Sequence, residues 1–98
     1  MYTLFQPKEK VTINVYSNYV ILSKEVRALL EDPEYIRVFF DEENNQMALK
    51  AYVDSRAAFR IAGDRICSKD LVERIGKTGR IAGEYNASED MVVFNLNG

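Results

Sequence analysis

The sequence predicts a mainly β (α+β) fold, a pseudo-twofold β-barrel made of two strand-strand-helix-strand-strand repeats. The hexapeptide ILSKEV, which begins at Ile21, returns as ICSKDL at Ile66, 45 positions later. Strand-forming and helix-forming runs follow in the same order around both copies, with no gap in the offset. A unit of this size cannot bury a core by itself, so we expect the two units to interleave in one domain over residues 1–98.

The first repeat covers about residues 11–51. Its opening strands, VTINVY and YVIL, meet at the polar turn Ser17-Asn18. Further along, YIRVFF and QMALKAY flank the polar segment DEENN, which is typical of a β-hairpin. Residues 1–9 are expected to form a lead-in to this repeat.

The second repeat covers about residues 56–96, after a short linker over residues 52–55. AAFRIA and RIC flank the turn Gly63-Asp64, and RIAGEY and MVVFNL flank the polar segment NASED. The second repeat therefore offers the same four strands as the first.

Each repeat places one short helix between its two strand pairs. Ser23 and Ser68 are predicted N-caps, because a serine oxygen accepts a hydrogen bond from a free amide of the first turn. The first helix should end near Asp32-Pro33, since the residue before a proline avoids helical geometry. The second should end at Gly76, a residue that tolerates left-handed geometry. The expected buried helix residues are Val26, Leu29, Leu30, Leu71 and Ile75.

The composition argues against an enzyme. The chain has no histidine, which excludes Ser-His and Cys-His nucleophilic pairs and zinc sites built from cysteine and histidine. Its single cysteine, Cys67, aligns with Leu22 and is therefore predicted to lie in the core. We expect no catalytic residues, no cofactor and no metal.

The length of the apolar runs predicts a protein without a membrane span. None approaches the roughly 20 residues that a spanning helix needs. The first residues, MYTLFQPKEK, lack a signal-peptide pattern, and a cytoplasmic location is expected.

Charge is unevenly distributed along the chain, whose net charge is −2. Residues 50–80 carry eight basic and four acidic side chains, whereas the segments on either side are net acidic. A clustered basic surface could hold phosphates, but arginines paired with nearby carboxylates would give the same composition. Tyr16 and Tyr19 also allow two interpretations, stacking on bases or a cross-strand pair, of which we favour the pair.

The first repeat resembles the AbrB/SpoVT swapped-hairpin, or cradle-loop barrel, family. The resemblance lies in YVILSKEVRALL followed by YIRVFFDEENNQMALKA, a strand, a joint, a helix and a hairpin. Members usually carry one copy and dimerise, and many bind DNA, so two copies imply a fused pseudo-dimer. This chain departs from the family by lacking its glycine before the second strand and its proline at the joint. The chain also looks like small uncharacterised proteins of phages and mobile elements.

Two hypotheses of function follow. The first is a non-enzymatic AbrB-like nucleic-acid-binding regulator, with phosphate contacts from Lys24, Arg27, Arg60, Arg65 and Lys69. The alternative is a phage or mobile-element module that binds a host protein and inhibits or adapts it, through exposed strand edges. Because the fused repeat already supplies the family's dimer interface, both a monomer and a homodimer are open.

Overall fold

A computed structural model describes residues 1–4 and 11–97 of the chain. The expected lead-in over residues 1–9 lies outside the described residues from residue 5 onward. The elements, in chain order, are β1 (Thr12–Val15), β2 (Val20–Leu22), α1 (Lys24–Leu29), β3 (Tyr35–Asp41), β4 (Gln46–Tyr52), β5 (Phe59–Arg60), β6 (Arg65–Ile66), α2 (Lys69–Ile75), β7 (Gly79–Asn86) and β8 (Met91–Asn95). Strands hold 43% of the described residues and helices 14%, which confirms the mainly β class.

The eight strands form one antiparallel sheet in the order β5-β3-β4-β8-β7-β1-β2-β6. Its two edge strands, β5 and β6, follow each other in the chain and are joined by a single bridge between Ala62 and Arg65. The sheet is therefore a nearly closed barrel. We call the narrow link between β5 and β6 the seam.

The order of the strands has the predicted twofold character. The counterparts in the two repeats are β1 and β5, β2 and β6, β3 and β7, and β4 and β8. If each strand is replaced by its counterpart, the list of neighbouring strand pairs stays the same, provided that the seam is counted as the pair β5–β6. The pairs β4–β8 and β2–β6 then lie on the pseudo-twofold axis, because each pairs a strand with its own counterpart. The repeated hexapeptide marks the joint between strand and helix in each unit.

Both helices begin as predicted. The side-chain oxygen of Ser23 accepts from the amide of Val26 at 3.3 Å, and that of Ser68 accepts from Leu71 at 3.1 Å. α2 ends at Gly76, whose φ of 78° is left-handed. α1 ends earlier than predicted, at Leu29, because Glu31 and Asp32 already have left-handed φ angles of 62° and 48°. No helix in the described part of the chain is long and apolar enough to cross a membrane.

The core is shared by the two units. Four of the five helix residues expected to be buried are buried. Leu29 is only partly buried, and that prediction was wrong: Val26 and Leu30, four positions apart, face the barrel and place Leu29 at the flank of the same turn. The most deeply buried side chains come from both repeats: Ile13, Val15, Val20, Leu22, Val26, Ile36, Met47, Leu49, Ile66, Val92 and Phe94.

The two opening hairpins differ by one residue, so the uniform offset of 45 is wrong in this stretch. Four positions separate Tyr19, which closes the first turn, from the cap Ser23; three separate Arg65 from Ser68. Ile66 consequently takes the inward position that Val20 has in the first hairpin. Alternation then turns Cys67 outward, where it is exposed, and its predicted place in the core was wrong.

Candidate nucleic-acid interface

The outer surface of the β3–β4 hairpin carries a pair of tyrosines. Tyr35 lies directly opposite Tyr52 in the ladder, at the end of the hairpin far from its turn. Ile36 and Leu49 are buried, so strand alternation places Tyr35 and Tyr52 on the outer side. Both residues are half-buried.

Two cations lie opposite each other beside these tyrosines. Arg37 pairs in register with Lys50, and like charges directly opposite each other destabilise a sheet. The Arg37 guanidinium carbon lies 3.5 Å from the centre of the Tyr52 ring, a cation–π contact. Its Nε and Nη2 donate to the carbonyl oxygen of Arg56 at 3.2 and 3.0 Å. Among residues 1–4 and 11–97, neither cation has a carboxylate within ion-pair distance.

β5 adds a third cation to this surface. Arg60 lies opposite Tyr35 and is exposed; its Nε is 3.9 Å from a carboxylate oxygen of Glu34. We call the surface made by Tyr35, Arg37, Lys50, Tyr52 and Arg60 the β3–β4–β5 face. Its chemistry, two aromatic rings with three cations, is suited to bases and phosphates.

An exposed ion pair lies at the border of this face. Arg56 Nη2 lies 3.0 Å from Asp54 Oδ2, and hydrogen bonds from Arg56 hold the pKa of the Asp54 carboxyl below its usual value. Asp54 is therefore ionised at neutral pH; it offsets the charge of Arg56 and, from farther away, attracts Arg37. The excess positive charge of the face comes from Arg37 and Lys50.

The five phosphate-binding residues expected from the sequence do not form one cluster. Lys24 and Lys69 are the exposed first residues of α1 and α2. In the β2–β6 register, the two N-caps Ser23 and Ser68 are offset by five residues, which is about 16 Å along the strands. Arg27 is half-buried on α1, and its Nε is enclosed without a hydrogen-bond partner in the described part of the chain.

The other two expected residues lie on opposite sides of the seam. Arg60 belongs to the β3–β4–β5 face, whereas Arg65 lies on β6 beside Tyr19. The Arg65 Nε lies 3.1 Å from Asp64 Oδ1, and the hydrogen bond raises the pKa of the guanidinium above its usual value. The favoured cross-strand interpretation of Tyr16 and Tyr19 is confirmed, since their rings stack with centres 4.8 Å apart.

Half of the basic residues in segment 50–80 lie within ion-pair distance of a carboxylate. The pairs are Arg56–Asp54, Arg60–Glu34, Arg65–Asp64 and Arg74–Glu42. Pairing with nearby carboxylates, the second interpretation of this segment, therefore accounts for these four arginines. Exposed pairs of this kind contribute roughly 0–1 kcal/mol, so each arginine can exchange its partner for a phosphate at little cost.

Sequence reasoning did not single out Arg37, Lys50 and the two tyrosines as a candidate site. The charge count by segment separated the two strands of the β3–β4 hairpin, because it placed Arg37 in an acidic segment and Lys50 in the basic one. A usable signal was present: pairing YIRVFF with QMALKAY around DEENN sets Arg37 against Lys50 and Tyr35 against Tyr52.

No protein-family model, curated protein or solved structure matches the chain. In the part of the chain that the structure describes, no group of three or more cysteine, aspartate or glutamate side chains is placed to hold a metal ion. The interpretation of the β3–β4–β5 face therefore depends on its own geometry and charge.

Proposed function

We propose that the chain is a small non-enzymatic nucleic-acid-binding protein of the regulator type, and that it binds through the β3–β4–β5 face. The observation that carries the proposal is the placement of Arg37 opposite Lys50, with the Arg37 guanidinium stacked on Tyr52. An AbrB-like role in regulation remains part of this proposal, supported by the resemblance of the first repeat.

The opposed cations support a bound anion. Their repulsion is a cost to folding: no carboxylate of the described residues lies within ion-pair distance of either cation, and Asp54 attracts Arg37 only from farther away. A phosphate group between the two side chains would remove that repulsion and release counterions. Tyr35, and the part of the Tyr52 ring that Arg37 does not cover, would supply ring surface for the attached bases, a contact that tolerates any base sequence.

The test is a fluorescence titration of labelled single-stranded and duplex oligonucleotides at low and moderate salt. We expect the double variant Arg37→Ala with Lys50→Asn to lose at least about tenfold in affinity. Removing two phosphate contacts should also reduce the slope of log affinity against log salt for the single strand by about 1.4, since each contact on a single strand contributes about 0.7.

The matched control is Lys24→Ala with Lys69→Ala, which removes the same charge from the two helix starts. We expect this control to lose only the small effect of a lower net charge, with the salt slope unchanged. If the control variant loses the affinity and the hairpin variant keeps it, the contacts lie at the helix starts that the sequence suggested. If no oligonucleotide binds the unmodified protein at low salt, the proposal is wrong.

A second candidate function, a module that binds a host protein, is favoured by a different observation. Phe39 is 47% exposed on the outer face of β3, in register with Ala48, which pairs with Val93. These three side chains help to line a groove of about 380 Å³. An apolar anchor side chain of a partner peptide fits such a groove. Capture of one protein from host lysate, lost in Phe39→Ser and retained in Arg37→Ala, would support this candidate.

A further inference from the structure

A second aromatic and basic cluster lies on the other side of the seam. The stacked rings of Tyr16 and Tyr19 flank the turn between β1 and β2, and the Arg65 guanidinium carbon is 4.8 Å from the centre of the Tyr19 ring. Tyr16 is 44% exposed, so part of its surface is open to solvent. The order Tyr16, Tyr19, Arg65 makes a short stack that a further base can extend.

The strand register adds a second cation to this cluster. Arg65 pairs with Ile21, Ile21 with Asn14, and Asn14 with Arg80, which places these residues in one row across β6, β2, β1 and β7. Arg80 is exposed, and no carboxylate of residues 1–4 or 11–97 lies within ion-pair distance of it. The row runs beside the two tyrosines and has a cation at each end.

The seam brings this cluster next to the β3–β4–β5 face. Arg65 pairs with Ala62 at the seam, and Arg60, the last residue of β5, lies two residues before Ala62, so alternation puts both on the outer side. Arg60 is itself opposite Tyr35. Around the barrel, the side chains thus follow in the order Tyr52, Tyr35, Arg60, Arg65, Tyr19 and Tyr16; the first four lie on β4, β3, β5 and β6, and the last two flank the turn between β2 and β1.

We infer that these six side chains, with Arg80 next to them on β7, form one track for single-stranded nucleic acid, which runs across the strands and over the seam. The inference rests on the proposed function and adds the class of ligand. Five strand spacings give the track a length of about 24 Å. The track follows the curved wall of the barrel, which a flexible single strand can follow. Duplex DNA, stiff over roughly 150 base pairs, cannot bend around so small a radius.

The test is a length series of oligothymidylates, of about four, eight and twelve nucleotides, within the range of site sizes known for small β-barrels. For the unmodified protein we expect affinity to rise from the shortest to the middle length. Tyr16→Ala with Arg80→Ala should weaken binding of the longer strands about tenfold. The same variant should bind the shortest strand as the unmodified protein does, because the β3–β4–β5 face is intact.

Two further results make the test specific to the track. Tyr16→Phe keeps the ring and should retain the affinity for long strands, which separates stacking from a change in folding. Tight binding of duplex alone, or an affinity for long strands that Tyr16→Ala with Arg80→Ala does not change, would overturn the track while leaving binding by the β3–β4–β5 face intact. Absence of binding at every length would overturn both.

Discussion

The β3–β4 and β7–β8 hairpins occupy equivalent positions in the two repeats. Both turn one face toward the core, but the side chains on their outer faces differ. At an offset of 45, Arg37 corresponds to Ala82, Lys50 to Asn95 and Tyr52 to Asn97. The strands of the β7–β8 hairpin thus pair antiparallel in the same register as those of β3–β4, but without the opposed cations. Because the fold forms without these side chains in one unit, the cations and tyrosines of the other are not required by the barrel.

On the inner faces of the two hairpins, the side chains of a pair depend on each other. Val38 pairs with Leu49 in the first hairpin, and at the equivalent place Gly83 pairs with Phe94 in the second. Two side chains of medium size are replaced by a glycine and a large ring. A Cβ on Gly83 would lie 2.6 Å from Phe94 Cδ1, so the ring fills the space that the glycine leaves. The interior conserves volume across the pair, whereas the exterior is free to vary.

The largest expected effect compares the two opening hairpins. Leu22 is buried and Cys67, its counterpart at an offset of 45, is exposed. Leu22→Ala should lower the free energy of unfolding by about 2–5 kcal/mol, the usual cost of emptying a core site. Cys67→Ala should change it by less than about 0.5 kcal/mol. Urea denaturation measures both, and a slow reaction of native Cys67 with a thiol reagent would contradict its exposure.

The next effect tests the exchange of volume inside the hairpins. Gly83→Val introduces the residue that the first repeat has at Val38. It should lower the free energy of unfolding by at least about 1–3 kcal/mol, because Phe94 occupies the space. Adding Phe94→Leu recreates the Val–Leu pair and should recover part of that loss. Denaturation of the two single variants and the double variant gives the coupling; simple additivity would show that the two sites do not share a volume.

The smallest effect concerns the opposed cations. Lys50→Asn introduces the residue of the second hairpin and removes the repulsion with Arg37, so stability should rise by about 0.2–1 kcal/mol. Asn95→Lys is the control, because alanine stands at the position equivalent to Arg37. That control should leave stability within about 0.5 kcal/mol of the original. A clear loss of stability in Lys50→Asn would mean that Lys50 supports the fold and is not available to a ligand.

Much of the fold could be predicted because local signals carry it. The caps Ser23 and Ser68 and the stop at Gly76 act within one helical turn. The long hairpins follow from polar turns between strand-forming runs. The prediction for Cys67 failed because the second opening hairpin has one residue fewer between its turn and its cap than the first, which reverses the side that Cys67 faces. The alignment did not show this difference, because Ser68 and Lys69 are identical to Ser23 and Lys24.

The candidate site was harder to predict than the fold. Of the five residues expected to bind phosphate, Arg60 alone lies in the β3–β4–β5 face, since Lys24 and Lys69 lie at the helix starts. Arg37 and Lys50 are 13 positions apart in the chain and meet only through the pairing of β3 with β4. Charge counted along the chain cannot show such a meeting, because register determines which side chains share a face.

Chemical-shift mapping by nuclear magnetic resonance tests the proposed site most directly. A single-stranded oligothymidylate would be titrated into isotope-labelled protein at low salt. The account predicts the largest shifts of backbone amides at Tyr35, Arg37, Lys50 and Tyr52, with little change at the equivalent Ala82 and Asn95. Absence of shifts, or shifts concentrated at Lys24 and Lys69, would contradict it.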